Sequence, residues 1–267
     1  MEPVVVIEKE AGWARLRLNQ PQGANAYGPE MAIALWNAVR KLRWDDEVRA
    51  ILLLAEGPIF SGGGDLQSFK QGLDEGVLPE VIEELSATLN STIMAIRRME
   101  KPFVSLIDGV CAGAGVGIAL AADITMATEK ALFVAGYIGI GAVPDGGSSL
   151  AVLETLGRAR AADFFLNNGR IDGRRAAEIG LVSRFVESSA APAAAEALTR
   201  ELSRGPARAL ALTKKVLAQA PGLSTAEYLE SERQGIIAAS TEPDFRIGVE
   251  AFLKKEKPDF QSHRNNS

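Results

Sequence analysis

The residues best suited to chemistry lie in a glycine-rich stretch at the centre of the chain, Asp108 to Asp123. An apolar strand, Phe103 to Ile107, leads into a turn with three glycines, and a compact helix of small residues is predicted from about Ala114 to Ala122. The first N–H groups of a helix have no partner within it, and the helix dipole adds partial positive charge there. This turn could therefore hold an anion or a developing oxyanion.

Three interpretations of this stretch are open from the residues alone. The small residues could simply allow a buried helix to pack closely. A dinucleotide site is less well supported, because Gly113 and Gly115 are not followed by a third Gly or Ala at Ile118 and no ribose-binding carboxylate stands at the usual distance. An oxyanion hole would need a second N–H donor from elsewhere in the chain, because one donor polarises a carbonyl far less than two.

A second glycine-rich turn could supply that donor. Residues Phe60 to Leu66 contain three consecutive glycines followed by Asp65, after a buried strand predicted at Ile51 to Leu54. Taken alone, this segment is typical of a flexible turn in which Asp65 caps a helix. Two strand ends in one parallel sheet, however, bring their turns to the same edge. We therefore expect the two glycine-rich turns to lie side by side.

Composition excludes several classes of catalytic site. The 267 residues include one cysteine, Cys111, and one histidine, His263, which lies in a polar tail. A single imidazole in the tail does not supply a Ser-His-Asp triad, a Cys-His pair or a His-based metal site. A general acid or base must then be a carboxylate, Tyr or Lys. The net charge of -5, without a dense basic block, argues against nucleic acid as a partner. No apolar run approaches the roughly 20 residues that span a bilayer. We expect a cytoplasmic protein with no membrane partner.

Asp145 is a carboxylate that could transfer a proton. It lies in a third glycine-rich segment, Gly136 to Ser149, which leads into a helix predicted from Leu150 to Leu156. The side chain could cap that helix, which is worth about 1 kcal/mol, or act as a base. A single carboxylate suits a 1,3-proton shift, because the same group can take a proton and return it two carbons away.

The elements that must position these turns follow an α/β pattern. A strand, an amphipathic helix and a buried strand in succession indicate a parallel unit, and the composition beyond Gly157 indicates that the last third is helical. The other predicted elements are a hairpin of Val4 to Ile7 with Ala14 to Leu18, helices from Pro29 and from Pro79 to Met99, and strands Ile124 to Ala127 and Leu132 to Val134.

With these motifs in place, the sequence resembles the crotonase (enoyl-CoA hydratase/isomerase) superfamily over nearly its whole length. The resemblance implies an α/β, crotonase-like fold of repeated ββα units with a C-terminal helical region. Residues 1–200 would form the core with the acyl-CoA and oxyanion site, and residues 201–267 the helical trimerisation region of a homotrimer or hexamer. Six segments carry it in family order: Pro21 to Ala26, Phe60 to Leu66, Asp108 to Asp123, Gly141 to Gly147, Asp172 to Val182 and Phe252 to Phe260.

The resemblance also implies a ligand and its contacts. The ligand would be an acyl-CoA thioester, with no metal and no cofactor other than the coenzyme A of the substrate. The backbone N–H groups of Gly64 and Ala114 would hold the thioester oxygen. Many members place a basic residue between Pro21 and Asn25, where this chain has none, so CoA affinity would rely on fewer charges. The implied CoA contacts are Ala24, Ala26, Asp65 and Leu66, with Lys254 and Lys255 reaching the phosphates from the same or a neighbouring subunit.

The reaction follows from the residues that differ from the family pattern. Hydratases of the family use two glutamates, and the matching positions here are Gly117 and Tyr137, which argues against an ordinary hydratase. Asp145 stands where isomerases of the family carry a proton-shuttling carboxylate and where aroyl-CoA dehalogenases carry a nucleophilic carboxylate. Tyr137 would line the acyl pocket or bind the acyl group. We expect an isomerase that moves a double bond from the 3- to the 2-position of an enoyl-CoA. A hydrolase or dehalogenase that uses Asp145 and a non-catalytic acyl-CoA-binding subunit are the alternatives.

Overall fold

The main sheet carries most of the core. In a computed structural model that describes residues 2–261, the first two strands form an antiparallel hairpin, as predicted, and every other pair is parallel. The predicted strand, helix, strand unit is confirmed as a parallel pair of the second and third strands. The six strands, in spatial order, are β1 (Val5–Glu10), β2 (Trp13–Leu18), β3 (Ala50–Ala55), β5 (Phe103–Ile107), β7 (Ile124–Ala127) and β10 (Arg184–Phe185).

A smaller sheet of four short strands carries the glycine-rich turns. Its members are β4 (Ile59–Ser61), β6 (Val110–Ala112), β8 (Leu132–Val134) and β9 (Arg170–Asp172), in that order. The sequence interpretation, in which each turn directly follows a long apolar strand, is therefore wrong in detail, because β4 and β6 intervene. Three residues are too few to produce a recognisable alternation of apolar and polar side chains.

The helices follow the predictions in the first half of the chain and add detail in the second. The fourth helix is two residues shorter than predicted. The fifth helix extends beyond Gly157, where non-helical backbone angles of φ 75° and ψ 168° produce a kink. The last third also contains β9 and β10. The helices are α1 (Pro29–Arg43), α2 (Leu66–Glu75), α3 (Leu78–Arg98), α4 (Ala114–Leu120), α5 (Ser148–Leu166), α6 (Gly173–Glu178), α7 (Ala191–Arg204), α8 (Ala207–Gln219), α9 (Thr225–Ser240) and α10 (Pro243–Lys254).

The central strands of the main sheet are buried on both faces, which fixes the strands that precede the site. Successive residues of β3 alternate between two apolar clusters. Ile51 and Leu53 pack with α1, α3 and α4, whereas Leu52 packs with Leu198 of α7 on the opposite face. Such double burial explains why β3 reads as a continuous apolar run. Within residues 2–261, no helix combines the length and apolar character that crossing a membrane requires.

Candidate active site

The two glycine-rich turns meet at one edge of the smaller sheet. Strands β4 and β6 are parallel, with Ser61 opposite Cys111. A methyl group built on Gly63 would lie 3.0 Å from the carbonyl oxygen of Ala112, and one built on Gly113 would lie 3.5 Å from the Cα of Gly63. The turns are thus in van der Waals contact, and the predicted side-by-side arrangement is confirmed.

The backbone of these turns leaves two N–H groups available. Gly63 and Gly113 adopt positive φ angles of 91° and 51°, a region that favours glycine. The N–H groups of the residues that follow them, Gly64 and Ala114, enter none of the hydrogen bonds formed within residues 2–261. Ala114 is also the first residue of α4, so the helix dipole adds partial positive charge at its N–H. Both groups can therefore donate to a ligand oxygen.

A groove of about 600 Å³ runs beside the first turn. Its lining includes four residues for which the sequence implies CoA contacts, namely Ala24, Ala26, Asp65 and Leu66. The N–H of Gly62 donates to the carbonyl of Ala24 at 2.8 Å, which fixes this loop against the turn. Lys254 and Lys255 lie at the exposed end of α10 and do not line the groove in the same chain.

Asp65 supports the backbone at the start of α2. Its Oδ1 accepts a hydrogen bond from the backbone N–H of Gln67 at 3.0 Å, and its Oδ2 accepts one from the hydroxyl of Ser68. The prediction that Asp65 caps a helix is confirmed. With both oxygens engaged, its carboxylate shapes the wall of the groove and is poorly placed to take a proton.

Asp145 is half-buried in the loop before α5, and its Oδ1 accepts a hydrogen bond from the Tyr137 hydroxyl at 3.0 Å. The capping interpretation is wrong, because Gly147 is the N-cap of α5 and no side chain caps it. The Oδ2 atom has no hydrogen-bond partner within the described part of the chain. Burial raises the pKa of Asp145, and the bond from Tyr137 partly counteracts this. The group combines a free oxygen with raised basicity, as proton transfer requires.

Tyr137 connects this carboxylate to the oxyanion turn. Its Cζ lies 4.0 Å from the position of a methyl group built on Gly113. The hydroxyl also lies 3.0 Å from the Oγ of Ser148, and Ser148 donates to the backbone carbonyl of Asp145 at 2.9 Å. Burial raises the pKa of Tyr137, so the phenol stays protonated and can donate. The hydrogen bond from Tyr137 thus helps to orient Asp145, and contact of Tyr137 with the acyl group stays a prediction.

Gly117 lies where α4 packs directly on the loop that carries Asp145. A methyl group built on Gly117 would lie 2.2 Å from the carbonyl oxygen of Gly146 and 3.2 Å from the backbone N of Ser148. Both neighbours are backbone atoms, so they cannot move aside as a flexible side chain would. The position that matches one of the two hydratase glutamates therefore has no space for any side chain.

Several other residues near the site have structural roles. Cys111 is fully buried and burial raises the pKa of its thiol, as expected of a small apolar residue. Asn167 ends α5, and the Oδ1 of Asn168 accepts a hydrogen bond from the backbone N–H of Gly136 at 2.8 Å, which holds the loop before Tyr137. His263 lies outside the described residues. Sequence reasoning missed Ser148, whose only signal was its position just after the glycines that follow Asp145.

Comparison with known proteins places this geometry in a family. The family described as Enoyl-CoA hydratase/isomerase matches residues 8–263. The chain belongs to the enoyl-CoA hydratase/isomerase family. Its fold is that of the crotonase superfamily: a crystal structure of an enoyl-CoA hydratase from Polaromonas sp. JS666 superposes with a TM-score of 0.90 at 30% identity, covering 96% of this chain and 98% of that one.

Relatives of this enoyl-CoA hydratase/isomerase family member differ in the reaction for which they are named. The 1,2-epoxyphenylacetyl-CoA isomerase of Escherichia coli (strain K12) is 30% identical over 97% of this chain and 99% of its own length. A "Probable enoyl-CoA hydratase" of Rhodobacter capsulatus is 34% identical over 95% and 96%. Other relatives are named as an isomerase, a hydratase and dehalogenases. Members of the family are enzymes, and membership is consistent with an acyl-CoA thioester as substrate, so the residues of the site must decide the reaction.

Proposed function

We propose that this protein is an acyl-CoA isomerase that moves a double bond from the 3- to the 2-position of an enoyl-CoA, linear or ring-fused. Asp145 would carry the proton, and the N–H groups of Gly64 and Ala114 would hold the thioester oxygen. The observation that carries the proposal is the hydrogen bond from Tyr137 to Asp145, which ties one carboxylate to the oxyanion turn and leaves its Oδ2 free.

The proposed reaction needs one base and one oxyanion site. The Asp145 carboxylate removes a proton from C2 of the 3-enoyl thioester, and the electron pair delocalises onto the thioester oxygen and, through the C3–C4 double bond, onto C4. Two fixed N–H dipoles stabilise that negative charge without reorganising. Asp145 then returns its proton to C4, the double bond forms between C2 and C3, and the carboxylate is restored.

The closed position at Gly117 favours isomerisation over hydration. Adding water to a double bond requires one group to activate the water and another to protonate carbon. The two positions that match hydratase glutamates hold Gly117, against which backbone atoms pack, and Tyr137, whose hydroxyl is bonded to Asp145 and Ser148. A single carboxylate beside the oxyanion turn supports proton transfer within one substrate instead.

We also propose a homotrimer or hexamer in which Lys254 and Lys255 of a neighbouring subunit approach the CoA phosphates. Support comes from the large apolar side chains that α9 and α10 expose in the single chain, since association with a second copy would remove them from water. These side chains are Leu229, Ile236, Ile237, Phe245, Val249, Phe252 and Leu253. Sedimentation velocity on the purified protein would test this proposal, and a monomer at micromolar concentration would contradict it.

The reaction can be tested with two isomeric substrates. Purified protein mixed with a 3-enoyl-CoA should increase the ultraviolet absorbance of the conjugated 2-enoyl thioester. With a 2-enoyl-CoA as the substrate, the absorbance of the conjugated thioester should fall only as far as the isomerisation equilibrium, because no water is added to the double bond. Formation of a 3-hydroxyacyl-CoA from the second substrate, detected by mass spectrometry, would show a hydratase and overturn the proposal.

A nucleophilic reaction of Asp145 is the second candidate, because an oxygen without a hydrogen-bond partner can attack carbon as well as accept a proton. Attack on the thioester carbonyl would lead to hydrolysis, and attack on a halogenated aromatic carbon would expel halide. The first route passes through a mixed anhydride on Asp145 with release of the coenzyme A thiol, and the second passes through an aryl ester on Asp145. Intact-protein mass spectrometry after rapid acid quenching would detect either adduct, whereas the isomerase proposal predicts unmodified protein throughout turnover.

A further inference from the structure

The loop of residues 24–28 separates the groove from the protein interior. Ala24 and Ala26 line the groove, whereas the side chains of Asn25 and Tyr27 turn inward, with 1% and 2% of their surface exposed. The backbone N–H of Tyr27 donates to the carbonyl of Gly63 at 2.7 Å. The side chain of Tyr27 therefore enters the interior directly beside the oxyanion turn.

The two inward side chains differ in how their polar atoms are used. The Asn25 amide donates to the carbonyls of Glu56 at 3.0 Å and Ile59 at 2.8 Å, and its oxygen accepts from the N–H of Gln20 at 2.7 Å. The Tyr27 hydroxyl is buried and has no hydrogen-bond partner within residues 2–261. An unpaired buried hydroxyl costs about 1–3 kcal/mol. Native proteins seldom retain such a group unless it has a use.

The Tyr27 hydroxyl lies on the side of α3 and of the loop that carries Asp145. Burial raises the pKa of Tyr27, the side chain of Thr92 lowers it, and the negative charge of Asp145 makes a smaller contribution that raises it. Thr92 donates to the carbonyl of Thr88 at 2.9 Å and does not meet Tyr27 in hydrogen-bond geometry. The same helix packs on the Asp145 loop, since a methyl group built on Gly146 would lie 2.4 Å from Leu89.

We propose that Tyr27 determines specificity by donating a hydrogen bond to an oxygen atom of the acyl group. The inference rests on the proposed function, which places the acyl group between the oxyanion turns and Asp145. A hydrocarbon chain would leave the hydroxyl unpaired, whereas a hydroxyl, carbonyl or ether oxygen would satisfy it. A site that hydrogen-bonds a substrate oxygen discriminates strongly against analogues that lack this oxygen. An apolar pocket discriminates much less against a substrate that lacks one methylene group. The substrate class is therefore an enoyl-CoA whose acyl group carries a further oxygen.

Binding of saturated thioesters tests this inference without any turnover. We would measure dissociation constants by calorimetry for hexanoyl-CoA and for its 3-, 4- and 5-oxo derivatives. The wild type should bind at least one oxo derivative about tenfold more tightly than hexanoyl-CoA, and Tyr27→Phe should reduce that ratio to about one. Tyr228→Phe on α9 is the matched control and should keep the wild-type ratio.

The outcomes separate the inference from the proposed reaction. If no oxo derivative binds more tightly than hexanoyl-CoA, or if the preference persists in Tyr27→Phe, the inference is overturned. Tyr27→Phe should also unfold at the same temperature as the wild type or higher, because it removes a polar group that has no partner. A clear preference in a protein that fails to isomerise any 3-enoyl-CoA would support the role of Tyr27 and refute the isomerase proposal alone.

Discussion

The Tyr137 hydroxyl lies 3.0 Å from Oδ1 of Asp145, while the Tyr137 ring lies against the turn that precedes Ala114. One side chain thereby spans the distance between the candidate base and the candidate oxyanion donor. The bond engages Oδ1 of the carboxylate, and Oδ2 has no hydrogen-bond partner within residues 2–261. This relationship gives the site a single free basic oxygen, and it makes the protonation of Asp145 depend on Tyr137.

Replacing Tyr137 with Phe should move the acidic limb of the pH–rate profile to higher pH. The bond from Tyr137 lowers the pKa of Asp145, which burial has raised, so its loss should raise that pKa further. A protonated carboxylate cannot accept the C2 proton, and activity is lost as the pH falls through the pKa. We expect kcat/KM on a 3-enoyl-CoA to fall roughly three- to tenfold on the acidic side. An unchanged limb in Tyr137→Phe, with Tyr228→Phe as control, would refute the positioning role.

Ala114→Pro should remove one oxyanion donor and leave the helix in place. Ala114 is the first residue of α4, where proline is well tolerated, and the preceding Gly113 can adapt its backbone. Loss of one such donor costs a factor of about 100 to 1000 in kcat. Thr225→Pro, at the first position of α9, makes the same substitution far from the site and should keep full activity. Equal rates in the two variants would exclude Ala114 as a donor.

Gly117→Ala should destabilise the fold and disturb the site together. The added methyl group would meet the carbonyl oxygen of Gly146 at 2.2 Å, which forces α4 and the Asp145 loop apart. Overpacking of this kind costs about 1–3 kcal/mol in the free energy of unfolding, measurable by urea denaturation. Gly222→Ala has open space around it and serves as control. A Gly117→Ala protein as stable and active as the wild type would show that this contact does not position Asp145.

Glu30→Gln should tighten CoA binding at low ionic strength. Within the described part of the chain, the charged side chains that line the groove are Glu30 and Asp65, both of them acidic. Their repulsion of the CoA phosphates acts near the surface, so removing one charge should lower the dissociation constant about two- to fivefold, an effect lost above roughly 0.5 M salt. Glu80→Gln, in the first turn of α3, is the control. An equal response in both variants would show that CoA does not occupy the groove.

The parts of the fold that the sequence predicts well are those with a long, regular pattern. Helix α1 has 15 residues and helix α3 has 21, and each buries one face. The spacing of their apolar residues therefore repeats over several turns. The sequence predicts the hairpin of β1 and β2 and the buried strand β3 equally well. In contrast, β4, β6 and β9 have three residues each and β10 has two, and the sequence predicts none of them, although it predicts β8, which also has three residues.

The sequence predicts individual residues of the site but not the contacts between them. Glycine runs mark the two turns because only a few residues adopt their backbone angles, and the scarcity of histidine and cysteine leaves Asp145 as a candidate. The bond between Tyr137 and Asp145 depends on a loop whose path is set by the contact of Gly117 with Gly146, a relationship between distant segments that no local pattern records. The unpaired hydroxyl of Tyr27 is likewise visible only once its surroundings are known.

The most direct test of the central claim is the rate of double-bond migration in Asp145→Asn. The variant should bind acyl-CoA as the wild type does and should unfold at the same temperature or higher, since it removes a carboxylate whose ionisation is disfavoured by burial. Its production of the conjugated thioester from a 3-enoyl-CoA should fall at least about 1000-fold. Asp74→Asn, on the exposed face of α2, should retain full activity. Wild-type turnover by Asp145→Asn would contradict the assignment of Asp145 as the proton carrier.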